Sequence, residues 1–238
     1  MNPCIISFFM DNIDFKTINY QRSVVDKFNK KKYPHYVMKT NAPHGISIDY
    51  FWALNGIPDA LEESVEQKVD HDVVIILDID AIPLHEDALE HYATVASQGK
   101  LIGNAQRSNH IENGQHVFAA PSTAAISKES FKKIGAPSAM ETNRSDVLEE
   151  YTWGAEVNEV PVDIVLPLRY DKAPQRYEWE GDQPPYWSLA DGMPVYGMGT
   201  TYGTPEMDMF YHNFQIRMPG QQENFWKKCE EVLNGKSK

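Results

Sequence analysis

The run Val73-Val74-Ile75-Ile76-Leu77 constrains this chain more than any other stretch. It is apolar at every position and rich in β-branched residues, so a strand made from it has no polar face to show to water and must be covered on both sides. Such a strand belongs inside a sheet that carries helices on each face. The residues before it fit that arrangement. CIISFFM (4–10) reads as a second buried strand ending at Asp11, and helical spacing follows through Ile18, Val24, Val25 and Phe28. A short strand is expected over Tyr36–Lys39, then a loop marked by Asn41, Pro43 and Gly45, then a helix over Ile48–Leu54. Pro58 opens a further helix through Ala60, Leu61 and Val65. Strands alternating with helices predict an α/β fold with a mainly parallel central sheet flanked by helices.

Beyond Pro83, a helix is expected over 86–97 and a strand over 101–106. A small-residue strand at 122–126 leads to Ser127 as an N-cap, a helix carrying Phe131 and Ile134, and Gly135 as its stop. Residues 145–158 read as an acidic helix and 162–167 as a strand, while 225–233 reads as a closing amphipathic helix. From Arg169 to Tyr211 the chain is rich in Pro, Gly, Tyr and Trp with little periodicity, and reads as a long, packed functional loop. Trp153, Trp179, Trp187, Tyr186, Tyr196 and Tyr202 crowd this later half. Aromatic rings of this kind suit a carbohydrate pocket or lid, although core packing is their commoner fate.

The length of 238 residues and 42% apolar content suit one domain, 1–238. Asp and Glu outnumber Lys and Arg by 34 to 22, giving a net charge of -12, which argues against nucleic acid or an anionic membrane as a partner. Cys4 and Cys229 make neither a disulfide framework nor a zinc site, so a reducing, cytoplasmic setting is expected. MNPCIISFFM lacks a basic leader and a cleavage site, and no window approaches the roughly 20 apolar residues of a membrane span, so no integral membrane segment is expected.

The central apolar run ends in Asp78 and Asp80. Where a strand passes into a loop its alternation relaxes, and both carboxylates can converge beyond the sheet edge, which is where open parallel sheets bind ligands. Two carboxylates held together need a divalent cation or a shared proton. An apolar strand followed by Asp-x-Asp, in a chain that starts with a βαβ pattern, resembles the signature of GT-A fold nucleotide-sugar glycosyltransferases. STAAISKESFKKIG is similar to the strand and helix that follow the metal strand in many members.

The resemblance implies a GT-A type domain with a nucleotide-sugar-binding half (1–105) and an acceptor-binding half (106–238). It implies Mn²⁺ or Mg²⁺ on the donor diphosphate, with Asp78 and Asp80 contacting ribose and metal respectively or sharing the metal. His212, in FYHNFQIRMPG, resembles the C-terminal metal histidine of several GT-A groups, with Arg217 nearby for the diphosphate. His44, His110 and His116 read as solvated. By the same analogy Asp11, at the end of the first strand, and Asp49, with Tyr50 beside it, are nucleotide contacts. Asp11 reads equally as a turn residue, and Asp49 as a first-turn acid. The activity implied is transfer of a sugar, from a UDP-hexose or related donor, to a carbohydrate or other hydroxyl acceptor.

An inverting reaction needs a carboxylate base, and the acidic helix offers Asp146, Glu149 and Glu150, with Glu156 further along. Two other readings stay open. One is a phosphohydrolase of the haloacid dehalogenase type with Asp78 as nucleophile and Asp80 as acid/base, against which stand the βα segment before the motif and the missing later acid pair. The other is a nucleotide-sugar or carbohydrate-binding module that keeps the fold without turnover.

Overall fold

The computed structural model describes residues 1–57, 69–108, 116–172, 189 and 196–235. Ten strands and six helices are assigned among them. The first sheet holds β1 (Pro3–Phe9), β2 (His35–Lys39), β3 (Val73–Leu77), β5 (Leu101–Arg107), β6 (Val117–Ser127) and β7 (Val162–Val165) in the order β2-β1-β3-β6-β5-β7. β1 runs parallel to β2 and β3, and β5 parallel to β7, while β6 alone is antiparallel to both its neighbours. The chain is thus an α/β fold with a central, mostly parallel sheet.

β3 lies in the interior of this sheet with all its residues buried, as its apolar run requires. Val73, Ile75 and Leu77 enter one core with α3 (Ala88–Ser97), while Val74 and Ile76 enter the opposite one with α2 (His44–Leu54), α4 (Lys128–Lys133) and α5 (Glu149–Val157). Within the second core the Trp52 ring stacks on Phe131 at 4.3 Å, and its indole N–H donates to Tyr151 Oη at 3.0 Å. A third core joins α1 (Phe15–Phe28) to α6 (Gln221–Leu233). Asp14 caps α1 and Ser127 caps α4, each by accepting a backbone N–H.

The second sheet is antiparallel, in the order β4-β10-β9-β8, with β4 (Ala81–Pro83), β8 (Pro167–Lys172), β9 (Met198–Thr204) and β10 (Met207–His212). This corrects the reading of 169–211 as one irregular loop, since its described part carries three strands. β9 reads MGTTYGT, whose glycines and small polar residues hide the strand from a hydrophobic pattern. The strand expected over 162–167 is split at Leu166 between the two sheets, and β6 begins at Val117, five residues before its expected start. The helix expected from Pro58, and Trp179, Tyr186, Trp187 and His110, lie outside the described residues. No helix among the described residues is long and apolar enough to cross a membrane. Cys4 and Cys229 are both buried and unpaired.

A buried polar chain links three elements of the first sheet's edge. Gln21 donates to Ser7 Oγ at 3.0 Å, and Ser7 Oγ stands 3.1 Å from His35 Nε2. The Ser7 hydroxyl therefore joins Gln21 of α1 to His35 of β2. Burial, with Arg22 adding to it, lowers the His35 pKa from 6.5 to about 4. The unfolded chain therefore takes up this proton first, and stability present above pH 6.5 is lost as pH falls from 6.5 toward 4. We expect a loss on the order of 1–3 kcal/mol across that window, discounted for the partial exposure of the ring. Urea unfolding at pH 7, 5 and 4 measures it, and His35→Asn should flatten the dependence; an unchanged slope in that variant rules out His35 as its source.

Candidate metal centre

The chain first passes from one sheet to the other at the turn after β3. β3 ends at Leu77, β4 begins at Ala81, and between them the Ala81 N–H donates to Asp78 O at 2.9 Å, closing a tight turn over Asp78-Ile79-Asp80. The Asp78 N–H is taken by Ser122 O of β6 at 3.2 Å, and its carbonyl also accepts from Gln21 Nε2 at 2.9 Å. β10 then pairs with β4 so that His212 stands opposite Ala81, and Asn213 N–H donates to Asp80 O at 2.9 Å. The histidine predicted from far downstream is thereby delivered to the aspartates by strand pairing.

His212 Nε2 lies 3.2 Å from Asp80 Oδ1 and 3.9 Å from Asp78 Oδ2. One ligand atom from each of the three residues falls within 4.8 Å of the others, the only such grouping among the described residues. Two carboxylate oxygens and an imidazole nitrogen suit Mn²⁺ and Mg²⁺ with water or substrate filling the remaining positions. His212 Nδ1 is buried without a hydrogen-bond partner, so Nε2 alone is turned to the cluster.

Burial pushes the Asp78 carboxyl above the usual carboxylate range, with His44 pulling against it and the charge of Asp80 adding to it. Burial acts on Asp80 in the same sense, but the charge and hydrogen bond of His212 outweigh it and hold Asp80 low. His212 is raised, because Asp80 and then Asp78 overcome the effect of its burial. The two acids thus favour the charged form of the imidazole beside them. Gln215 contributes through its backbone: its φ of 62° is a left-handed turn, and the Ile216 N–H that follows bonds the Asp80 carboxylate.

The cluster opens into a cavity of about 260 Å³. Asp78, Asp80 and His212 form its floor, and Phe8, Met10, Thr40, His44, Gln106 and Arg217 are among its walls. Arg217 is therefore beside the cluster, its guanidinium 4.0 Å from Met10 Sδ. Asp11 is placed differently: its exposed carboxylate pairs with Lys39 Nζ at 2.5 Å, and Met10 and Asn12 line the cavity instead. Asp49 also turns elsewhere, accepting from Ser138 Oγ at 2.5 Å and Ala139 N at 2.8 Å.

The four acids of the 145–158 region separate into distinct settings, with Glu156 exposed and 3.6 Å from His116 Nε2. Glu149 is fully buried, accepting from Ser108 Oγ at 2.8 Å and Asp146 N at 2.7 Å, with His116 Nδ1 at 2.5 Å. Glu150 is held by Arg144 through both carboxylate oxygens, at 2.9 and 2.6 Å. Asp146 alone touches a wall of the cavity, receiving Gln106 Nε2 at 3.5 Å.

His116 was expected to be solvated, and the structure corrects this. Its ring stacks on Trp153 at 3.9 Å and its side chain is 12% exposed. His44 is partly exposed, at 29%, and faces the cluster. It begins α2 and stands with Nε2 3.3 Å from Asp78 Oδ1. No sequence signal marks it, because the loop before α2 and the end of β3 meet only in the fold. Tyr196 and Tyr202, expected near an acceptor, are core residues in the described structure.

No known protein family matches the chain by sequence, and neither does any curated protein. Among solved structures, the chain is similar to a glycosyltransferase involved in glycosylation of the major capsid of PBCV-1, at 10% identity over 96% of this chain and 99% of that one, with a TM-score of 0.46. It is also similar to the catalytic domain of Drosophila beta1,4galactosyltransferase 7 in complex with xylobiose, at 15% identity, 68% of this chain and TM-score 0.45, spanning 63% of that chain. A mutant of the latter in complex with manganese, UDP-Gal and xylobiose gives 13% identity, 69% and 65% coverage, and TM-score 0.44. Likeness at this level adds nothing to what the chain's own strand order and cluster provide. By its own strand order and side-chain geometry the chain is an α/β fold with a central, mostly parallel sheet and a candidate divalent-metal centre at the end of β3.

Proposed function

We propose that this protein is a metal-dependent glycosyltransferase that moves a sugar from a nucleoside-diphosphate sugar, a UDP-hexose by preference, to a hydroxyl of a carbohydrate or similar acceptor. The observation that carries the reading is the Asp78-Asp80-His212 cluster, gathered within 4.8 Å on the floor of a cavity at the carboxyl end of the central strand. These three side chains would hold Mn²⁺ or Mg²⁺. When bound, the ion supplies Lewis-acid neutralisation of the charge on the departing diphosphate. The chain's own residues do the rest. Arg217 offers a guanidinium to the diphosphate from the cavity wall. Residues 1–105 supply the nucleotide side through the ends of β1 and β2, and 106–238 the acceptor side. Two free buried thiols support a reducing, cytoplasmic setting.

For the base, the reading keeps Asp146, the acid that reaches the cavity through Gln106. It takes the proton of the acceptor hydroxyl as that oxygen attacks the sugar carbon. Asp146→Asn should lower kcat about 10²–10⁴-fold and leave Mn²⁺ affinity unchanged; a kcat within twofold of wild type would remove Asp146 from this role. The activity itself is tested by incubating the protein with UDP-, GDP- and CMP-sugars in Mn²⁺ and measuring freed nucleotide. Release from a UDP-sugar that stops on chelation is expected. Tight binding without release would indicate a binding module, and phosphate released from simple phosphomonoesters would indicate a hydrolase.

A further inference from the structure

Asp78 is approached by two imidazoles, one on each oxygen. His212 Nε2 faces Oδ2 at 3.9 Å and His44 Nε2 faces Oδ1 at 3.3 Å. The two histidines are not equivalent. His212 belongs to the ligand group, and a nitrogen that coordinates an ion can no longer donate a hydrogen bond. His44 lies outside that group.

We propose that His44 is the positioning residue for Asp78 in the loaded centre: it holds Oδ1 and so leaves Oδ2 as the single ligating oxygen of that carboxylate. This rests on the metal-centre reading above. Ligating carboxylates are commonly fixed by a hydrogen bond to the oxygen that does not touch the metal, and losing such a partner costs about 10–100-fold in affinity.

The placement of His44 is built into the fold. It starts α2, and the adjacent Gly45 is packed so closely on the 139–140 backbone that a Cβ there would sit 2.6 Å from Ala139 O. Asp49, one turn further on, accepts from Ser138 and Ala139 and fastens the same contact. The His44 ring also rests edge-on against Phe8 of β1, with centroids 5.9 Å apart. Backbone, helix and ring contacts therefore aim one nitrogen at one oxygen. Asp49, which sequence resemblance marked as a nucleotide contact, supports the centre in this way.

The test is Mn²⁺ titration without nucleotide, following the EPR signal of the free aqueous ion. Wild-type protein should bind about one ion. His44→Ala should weaken binding 10–100-fold. His44→Gln, whose amide nitrogen reaches nearly as far as Nε2, should restore most of it. A role in folding alone would lower the thermal midpoint of both variants and leave ion affinity unchanged in the folded protein. Affinity of His44→Ala within twofold of wild type, or His44→Gln as weak as His44→Ala, overturns the assignment. If wild-type protein binds no Mn²⁺ at all, the metal-centre reading has failed before His44 is tested.

Discussion

Asp80→Ala should reduce Mn²⁺-dependent release of nucleotide from a sugar nucleotide at least about 10³-fold, the largest loss of any single change in this chain. Asp80 is the better ionised of the two aspartates, because His212 at 3.2 Å and the Ile216 N–H hold its carboxylate low against the effect of burial. It is also fixed at both ends, its carbonyl by Asn213 N–H and its side chain by His212. Removing the carboxylate leaves Asp78 and His212 as an incomplete site. The fold should survive, because Asp78 remains 3.9 Å from His212 as its counter-charge and the repulsion between the two acids is removed. Thermal unfolding with and without the ion separates these effects. Mn²⁺ at 100 times its dissociation constant should stabilise wild-type protein by about 2.7 kcal/mol and should do nothing for the variant. Turnover unaffected by Asp80→Ala would dismiss the metal centre as the seat of the chemistry.

Glu149→Ala should instead be costly to the fold. The residue is fully buried, and burial would raise its pKa, but His116, Asp146 N–H and Ser108 together hold it below the usual range. Truncation removes the carboxylate that His116, Ser108 and the Asp146 N–H share. Breaking one side of a buried pair of this kind costs about 3–5 kcal/mol, which for a chain of this size lowers the unfolding midpoint by on the order of 10 °C. The remaining folded protein should turn over within tenfold of wild type. A variant of near-native stability whose kcat falls 10²-fold or more would reverse this and make Glu149 a reacting group.

The parts of the structure that sequence made legible are those whose cause is local. β1 and β3 are apolar runs, α4 has the Ser127 cap, and Gly135 ends its helix at a φ of 92°. Asp78 and Asp80 were legible because two acids directly after five core residues need an explanation, and His212 came through resemblance. The rest depends on contacts distant in sequence. β4 is three residues long and exists because β10 pairs with it. β8 keeps only Pro167 buried, so it lacks the hydrophobic alternation that would announce a strand. His44 reaches Asp78, and Gln106 reaches Asp146, only after separate elements have been brought together.

β6 spans both halves of the proposed site. Thr123–Ser127 lie against the metal strand, while Val117–Ala120 lie against the outer end of β5, where Gln106 stands opposite Phe118. Side chains on a strand change sides at every residue. Between Ala120 and Thr123 that alternation is interrupted: Asn104 of β5 pairs with Ala120 while Gly103 pairs with Ala124, so β6 carries extra residues at this point. Such a bulge sets the facing of Phe118 independently of Thr123–Ser127, so a residue gained or lost there can re-aim the outer end of the ribbon while the metal strand keeps its partner.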